Sequence, residues 1–195
     1  MTDGRRRRRA DTRQRLYEAA VELIAEQGFS ATTVDDIALR AKVAKGTVYY
    51  NFKSKSDLFE ELLRHGIGLL TDGFRAAVQG LPPREAVGAL VRTQLDFIRR
   101  YRAFAQLLLS EMWRTNREWH QTLILLREQA IGVIAETLQA GVDGGDLPSD
   151  LDVRVASAAL FGIGLVVAVD WLVFQPERPI EEVEESLLAI VRRRL

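Results

Sequence analysis

The sequence predicts an all-α chain, and three observations carry that prediction. Apolar residues recur at three- and four-residue spacing through every long segment of the 195 residues. No segment shows the two-residue alternation of a half-buried strand, and no Asn-Gly hairpin turn joins two apolar runs. The breaks fall at residues that stop helices: Gly28, the stretch from Lys42 to Ala44, the Pro82-Pro83 pair and the loop GVDGGDLPSD.

The first helix is expected to start at Asp11, which has capping-box spacing to Gln14, and to run through Leu16, Ala20, Leu23 and Ile24 to Gly28. Residues 1–9 precede it as a flexible basic arm. The second helix has Thr33 as N-cap with Asp36 reciprocating, and it turns Val34, Ile37, Ala38 and Ala41 inward. After Lys42 to Ala44 comes a third short helix, anchored by Val48 and carrying Gly46 where a backbone can approach another group closely. A longer helix from Lys55 places Leu58, Leu62, Leu63, Ile67 and Leu70 on one side and ends before Pro82. Further helices are expected over 84–101, 103–113, 117–140, 151–174 and 180–194, with Gly141 ending the one before the loop. Within the last of these, Glu181, Glu182, Glu184 and Glu185 form a solvated first turn favoured by the helix dipole. The domain division is an arm over 1–9, a helix-turn-helix unit over 10–54 and a helical sensor and dimerisation unit over 55–195.

Composition narrows the class of molecule. With 47% hydrophobic residues the chain can bury a substantial core. It has no cysteine, hence neither disulfides nor thiol chemistry, and its start is charged rather than apolar, unlike a secretory signal; both fit a cytoplasmic protein. The formal net charge is zero but unevenly laid out. Residues 1–55 hold 12 Lys or Arg against 7 Asp or Glu, and the remainder carries the opposite surplus. Arg5, Arg6, Arg7, Arg8 and Arg9 form an unbroken run, suited to lying along phosphates or entering a narrow minor groove, and otherwise a solubilising tail.

The third helix begins with a cation, a hydroxyl and two phenols and meets no carboxylate until Asp57, a surface that suits a polyanion. Lys45 sits early enough to reach a base edge, whereas Thr47 and Tyr49 can bond phosphate or pack on a thymine methyl. Adjacent aromatics on a helix point about 100° apart, so either Tyr49 or Tyr50 can instead plug the small core beneath.

The segment TTVDDIALRAKVAKGTVYYNFKSKSDLF, within a stretch from about Leu16 to Leu62, closely resembles the N-terminal domain of TetR-type bacterial transcriptional regulators. The resemblance implies three N-terminal helices forming a helix-turn-helix domain, a fourth helix linking to a ligand-binding domain, and a homodimer that usually represses. By matching positions, Lys45, Gly46, Thr47, Tyr49 and Tyr50 would lie on or at the start of the recognition helix. Lys55 would begin the linking helix beside a phosphate, and Thr33 would contact the DNA backbone. Two positions depart from the family pattern: Lys42 stands where glycine is common, and Ala44 where serine often caps the recognition helix. A left-handed residue costs lysine about 1 kcal/mol more than glycine.

The family implies an effector pocket among the middle helices, for which Phe97, Phe104, Leu108, Met112, Trp113, Trp119, Leu123 and Phe161 offer large apolar surfaces; the same residues also serve as ordinary core. The stretches SEMWRTNREWHQTL and DLDVRVASAALFG are similar, more weakly, to family members that sense fatty acyl-CoA, which implies an elongated apolar effector. Arg114, Arg117 and His120 lie nearby in sequence and can meet a carboxylate or phosphate, or else line a solvated face. Residues 155–174 are apolar almost throughout, with Asp170 their only ionisable residue, and long enough to span a membrane, but their small residues Ala158, Gly162 and Gly164 suit a helix buried on all sides by protein. The resemblance implies that the last two helices pair with a second chain, with Leu187, Leu188, Ile190 and Val191 supplying the other apolar face.

An enzyme is the competing class. The sequence contains no His-Glu-x-x-His, no Gly-x-Ser-x-Gly and no phosphate-cradling glycine loop, and its two histidines, His65 and His120, are isolated. A non-specific architectural DNA binder using the arginine run leaves the large C-terminal half without a purpose. The expected partners are therefore double-stranded operator DNA, a small apolar effector such as fatty acyl-CoA and a second copy of the chain, without membrane, metal or cofactor. The expected setting is the bacterial cytoplasm, on the nucleoid when bound to an operator.

Overall fold

The computed structural model describes residues 3–112 and 120–192, and every regular element in them is an α-helix. The order is α1 Asp3–Gln27, α2 Val34–Arg40, α3 Lys45–Asn51, α4 Lys55–Val78, α5 Pro83–Arg100, α6 Arg102–Met112, α7 His120–Asp143, α8 Val153–Phe174 and α9 Ile180–Arg192. The first three form a small head in which Leu16, Ala20, Ile24, Ile37, Val48 and Phe52 are buried. Its core is continuous with that of the C-terminal helices, because α4 contributes to both. Near its start α4 meets α1 and the turn after it, where the Phe29 ring lies 5.0 Å from that of Phe59; further along it packs against α5 and α7.

Local chemistry explains the helix ends. Thr33 and Asp36 form the expected capping box: the Asp36 amide donates to Thr33 Oγ1 at 3.1 Å, and the Thr33 amide donates to Asp36 Oδ2 at 3.0 Å. The Thr33 hydroxyl, which donates to Asp36 Oδ2 at 2.6 Å, and then the Thr33 amide hold the Asp36 carboxyl below its ordinary pKa. Helix α2 ends in a Schellman turn, with the Val43 amide donating to Ala38 O at 2.9 Å and that of Lys42 to Leu39 O at 3.1 Å. Lys42 takes the left-handed position at φ 55°, where lysine is strained and glycine is not. The Arg15 guanidinium braces this turn by donating to the carbonyls of Ala41 and Lys42. As the sequence implies, Ala44 caps α3 without any side-chain bond.

Three expectations need correction. Helix α1 begins at Asp3, not Asp11, so Arg5–Arg9 extend the first helix instead of forming an arm. Arginine is a good helix former, and Gln14 bonds forward to Glu18 rather than back to Asp11. Gly141 does not stop its helix. Helix α7 runs on to Asp143, and the left-handed residue is Gly145 at φ 79°. Gly141 serves close packing: a Cβ there would lie 2.7 Å from the Leu147 side chain and 3.0 Å from Pro83.

The third correction falls on the outer apolar face expected of α9, which packs beside α8; α8 has a mean hydropathy of 2.1 and could cross a membrane by length and composition. It is buried on one side only within the chain. Leu160, Phe161, Leu165, Ala168 and Leu172 face inward, and Gly164 admits Gln94, whose Nε2 donates to Phe161 O at 2.8 Å. Val155, Val166 and Phe174 remain 62%, 61% and 76% exposed. In α9, Leu187, Leu188 and Val191 turn inward to this chain's own core, leaving Ile190 exposed. The acidic start of α9 is exposed at Glu181, Glu182 and Glu185, while Glu184 pairs with Arg92 at 3.5 Å.

Two substitutions test these packing and turn assignments by urea unfolding. Gly66 receives the Phe104 ring so closely that a Cβ would lie 2.2 Å from it, whereas Gly68, on the same helix, has open space. Gly66→Ala should destabilise by about 1–3 kcal/mol through overpacking, while Gly68→Ala should stabilise by about 0.5–1 kcal/mol. Equal effects would contradict the close α4–α6 contact. Lys42→Gly should stabilise by about 1 kcal/mol by relieving the left-handed strain; a loss of stability would mean that the lysine side chain holds the turn.

Candidate nucleic-acid interface and sensor cavity

Helix α3 is held from below by Val48 and by Phe52 just beyond its end, each 2% exposed, so the residues between them project away from the head. Neither tyrosine plugs the core: Tyr49 is 52% and Tyr50 75% exposed, and Phe52 does that work instead. Lys45 and Gly46 are exposed at the start of the same helix, Thr47 is half-buried, and a Cβ on Gly46 would meet nothing within 4 Å. Thr33 is exposed at the head of α2. The predicted residues Thr33, Lys45, Gly46, Tyr49 and Tyr50 are thus all solvent-facing.

Lys45 has a partner that sequence spacing does not reveal. Its Nζ donates to Asp35 Oδ2 at 2.9 Å, and this carboxylate holds the ammonium above its ordinary pKa. Lys55, by contrast, is turned inward. Its Nζ donates to the carbonyls of Phe29 and Thr32, each at 2.9 Å, and lies 4.2 Å from the centre of the Phe29 ring. Two of its three N–H donors are engaged there, so it secures the α1–α2 turn instead of standing free for a phosphate. Arg9 is exposed with its guanidinium 5.8 Å from the Tyr50 ring centre, which brings the arginine run alongside α3. Being helical, the backbone of that run cannot lie along a minor groove about 6 Å wide as an extended arm does.

The head is tied to the rest of the chain by a cluster that sequence reasoning missed. Arg13 Nη2 donates to Glu61 Oε2 at 2.5 Å and to the Tyr17 hydroxyl at 2.8 Å, joining α1 to α4. Burial raises the Tyr17 pKa, and its ring stacks on His65 at 5.0 Å. Arg40 adds ion pairs from α2 to Glu22 and Glu26 of α1, both at 3.1 Å.

Next to this cluster lies a cavity of about 500 Å³, bounded by Tyr17 and Val21 of α1, Leu62, His65, Gly66 and Leu69 of α4, and Phe97 and Phe104 of α5 and α6. Arg99, Arg100, Tyr101 and Arg102 border it at the α5–α6 junction. Its size is that of a small-molecule site. Of the predicted pocket residues it includes Phe97 and Phe104. Leu108 and Phe161 are buried and do not line it. Trp113 and Trp119, with Arg114 and Arg117, lie outside the described residues, as do the side chains of Met112, His120 and Leu123. The α4 wall was open to detection in the sequence, since Leu62, His65, Gly66 and Leu69 share one helical face.

Comparison with known proteins agrees with this architecture. The family model for bacterial regulatory proteins of the tetR family matches residues 16–62, and that for a tetracyclin repressor-like C-terminal domain matches residues 80–195. The transcriptional repressor KstR2 of Rhodococcus jostii is 32% identical over 97% of this chain and 92% of its own. The fatty acid metabolism regulator protein of Bacillus subtilis is 24% identical over 90% of this chain and 91% of its own. Among solved structures, the fatty acid degradation regulator FadR of Bacillus halodurans superposes with a TM-score of 0.81 at 25% identity, covering 91% of this chain and 94% of that one. FadR of Bacillus subtilis in complex with stearoyl-CoA has the same fold, with a TM-score of 0.82 at 24% identity, covering 91% of this chain and 96% of that one. The chain belongs to the TetR family of bacterial transcriptional regulators and is a ligand-responsive DNA-binding protein.

Proposed function

We propose that the protein is a repressor that binds a palindromic operator as a homodimer in the cytoplasm and releases it when an amphipathic molecule enters the sensor. The observation that carries this reading is the position of the cavity, whose walls come from the head through α1 and from the sensor through α4, α5 and α6. A ligand seated there touches both bodies at once, so its binding energy can differ between two placements of the head, which is the requirement for switching. The cavity joins apolar surface to Arg99, Arg100 and Arg102 on its α5–α6 side, with Glu18 and Glu22 on its α1 side, and the arginines suit the anionic group of a molecule with an apolar body. Likeness to the Bacillus fatty acid regulators favours a fatty acyl-CoA.

On the DNA side, Lys45 reaches a base edge, Thr47 and Tyr49 meet phosphate or a thymine methyl, and Thr33 bonds the backbone. Gly46 admits close approach, and Tyr50 and Arg9 extend the contact towards Arg5–Arg8. Lys55 acts by holding the α1–α2 turn. The functional division is then a reading head over 10–54, preceded by its basic helical extension, and a sensor over 55–195. One recognition helix reads few base pairs, and two related by a two-fold axis read half-sites about 34–36 Å apart. The exposed apolar stripe of Val155, Ile163 and Val166 on α8, with Ile190 on α9, supplies a self-complementary face for that dimer.

Gel shifts on the DNA flanking the protein's own gene test the reading. A specific, salt-resistant complex is expected, dissolving on addition of a long-chain acyl-CoA. Tyr49→Ala should weaken specific binding roughly tenfold with an unchanged melting temperature, because the side chain is half exposed. Failure to form any specific complex would sink the proposal, and an equal fall in melting temperature would make Tyr49 a structural residue.

A further inference from the structure

Of the two carboxylates on the α2–α3 pair, only one helps to build it. Asp36 closes the capping box with Thr33. Asp35 reaches instead from the first turn of α2 to the first residue of α3, where it accepts a hydrogen bond from Lys45 with 64% of its own side chain and 55% of that of Lys45 exposed. An ion pair this open to water adds little to folding, and a carboxylate on a DNA-facing surface repels phosphate. The dipole of α2 favours a carboxylate in its first turn, but that does not require the reach to Lys45, which bears on recognition.

A lysine ammonium is a mobile point charge that takes a phosphate as readily as a base edge, and phosphate contacts carry no sequence information. Paired with Asp35, Lys45 is held across the start of α3, the part of a recognition helix that meets base edges. The carboxylate opposes a phosphate at that spot while leaving the ammonium free N–H groups for a base. The two together present a donor suited to guanine O6 or N7 and an acceptor suited to cytosine N4, groups that lie side by side on one G·C pair in the major groove.

We propose that Asp35 is a specificity-determining residue: joined to Lys45, it forms a donor–acceptor unit that reads a G·C pair in each half-site and suppresses binding to unrelated DNA. This rests on the reading that the α3 surface faces the major groove.

The wild type, Asp35→Asn, Lys45→Ala and the double variant are each used to select duplexes from a randomised library. Their affinities for the wild-type-selected duplex and for an unrelated duplex are then compared across salt, with melting temperature as the control for folding. The wild type should select a G·C pair at one position of each half-site. Asp35→Asn should bind the unrelated duplex more tightly, with a salt slope steeper by about one. Its ratio of selected to unrelated affinity should fall roughly tenfold, and the G·C preference should relax. Lys45→Ala, which leaves the carboxylate unpaired towards DNA, should weaken every complex, and adding Asp35→Asn should restore part of that loss. Equal gains on both duplexes in Asp35→Asn would overturn the proposal, leaving Asp35 a general repellent; so would additive effects with an unchanged selected sequence. A wild type that selects no sequence would overturn the major-groove reading and this proposal with it.

Discussion

Helix α4 is the constraint on which the rest of the structure depends. Its first half places Leu58, Phe59, Leu62 and Leu63 in the apolar core beside the head, and its second half places Ile67, Leu70 and Phe74 in the same core among the sensor helices. Interiors packed at this density do not deform smoothly, so a helix shared by two bodies couples their positions. Phe104 pressed onto the Gly66 backbone joins α6 to the middle of this lever, and the cavity opens beside that contact. Sensor and head therefore meet along a common wall.

Cations divide their work across the head. Arg13, Arg15 and Lys55 are half-buried in it and Arg40 lies on its surface, each bridging two segments through carboxylates or backbone carbonyls. Arg7, Arg9 and Lys45 remain exposed. The surplus of positive charge in residues 1–55 is thus only partly available to DNA, and the bridging cations make the helix-turn-helix rigid enough to present α3 at a fixed angle. Rigidity of this kind matters for recognition, since base-edge contacts depend on the placement of a few side chains.

Much of the fold was legible because helix ends are set locally. The capping box at Thr33, the left-handed position at Lys42, the uncapped Ala44 and the stop before Pro82 all follow from a few neighbouring residues. Gly141 misled because a glycine that admits a neighbour's side chain looks, in sequence, like one that ends a helix. The start of α1 misled because like-charged arginines seemed suited to an arm, although their helix propensity is high. The contacts that define the candidate site were hidden for a different reason. Asp35 and Lys45 are ten residues apart, Arg13 and Glu61 forty-eight, and Tyr17 meets His65 only once α1 lies across α4. The sequence points to the sensor helices alone for a pocket, whereas the cavity proposed above has one wall on the head.

The central claim is that a ligand on the sensor side moves the reading heads. The chain has no cysteine, so Ser30→Cys, exposed in the turn after α1, allows one spin label on each protomer. Pulsed dipolar spectroscopy then measures the separation of the two heads with operator bound and again with a long-chain acyl-CoA. One narrow distance is expected on the operator and a different one with the acyl-CoA. An unchanged distance with a ligand that nonetheless releases the DNA would contradict the claim.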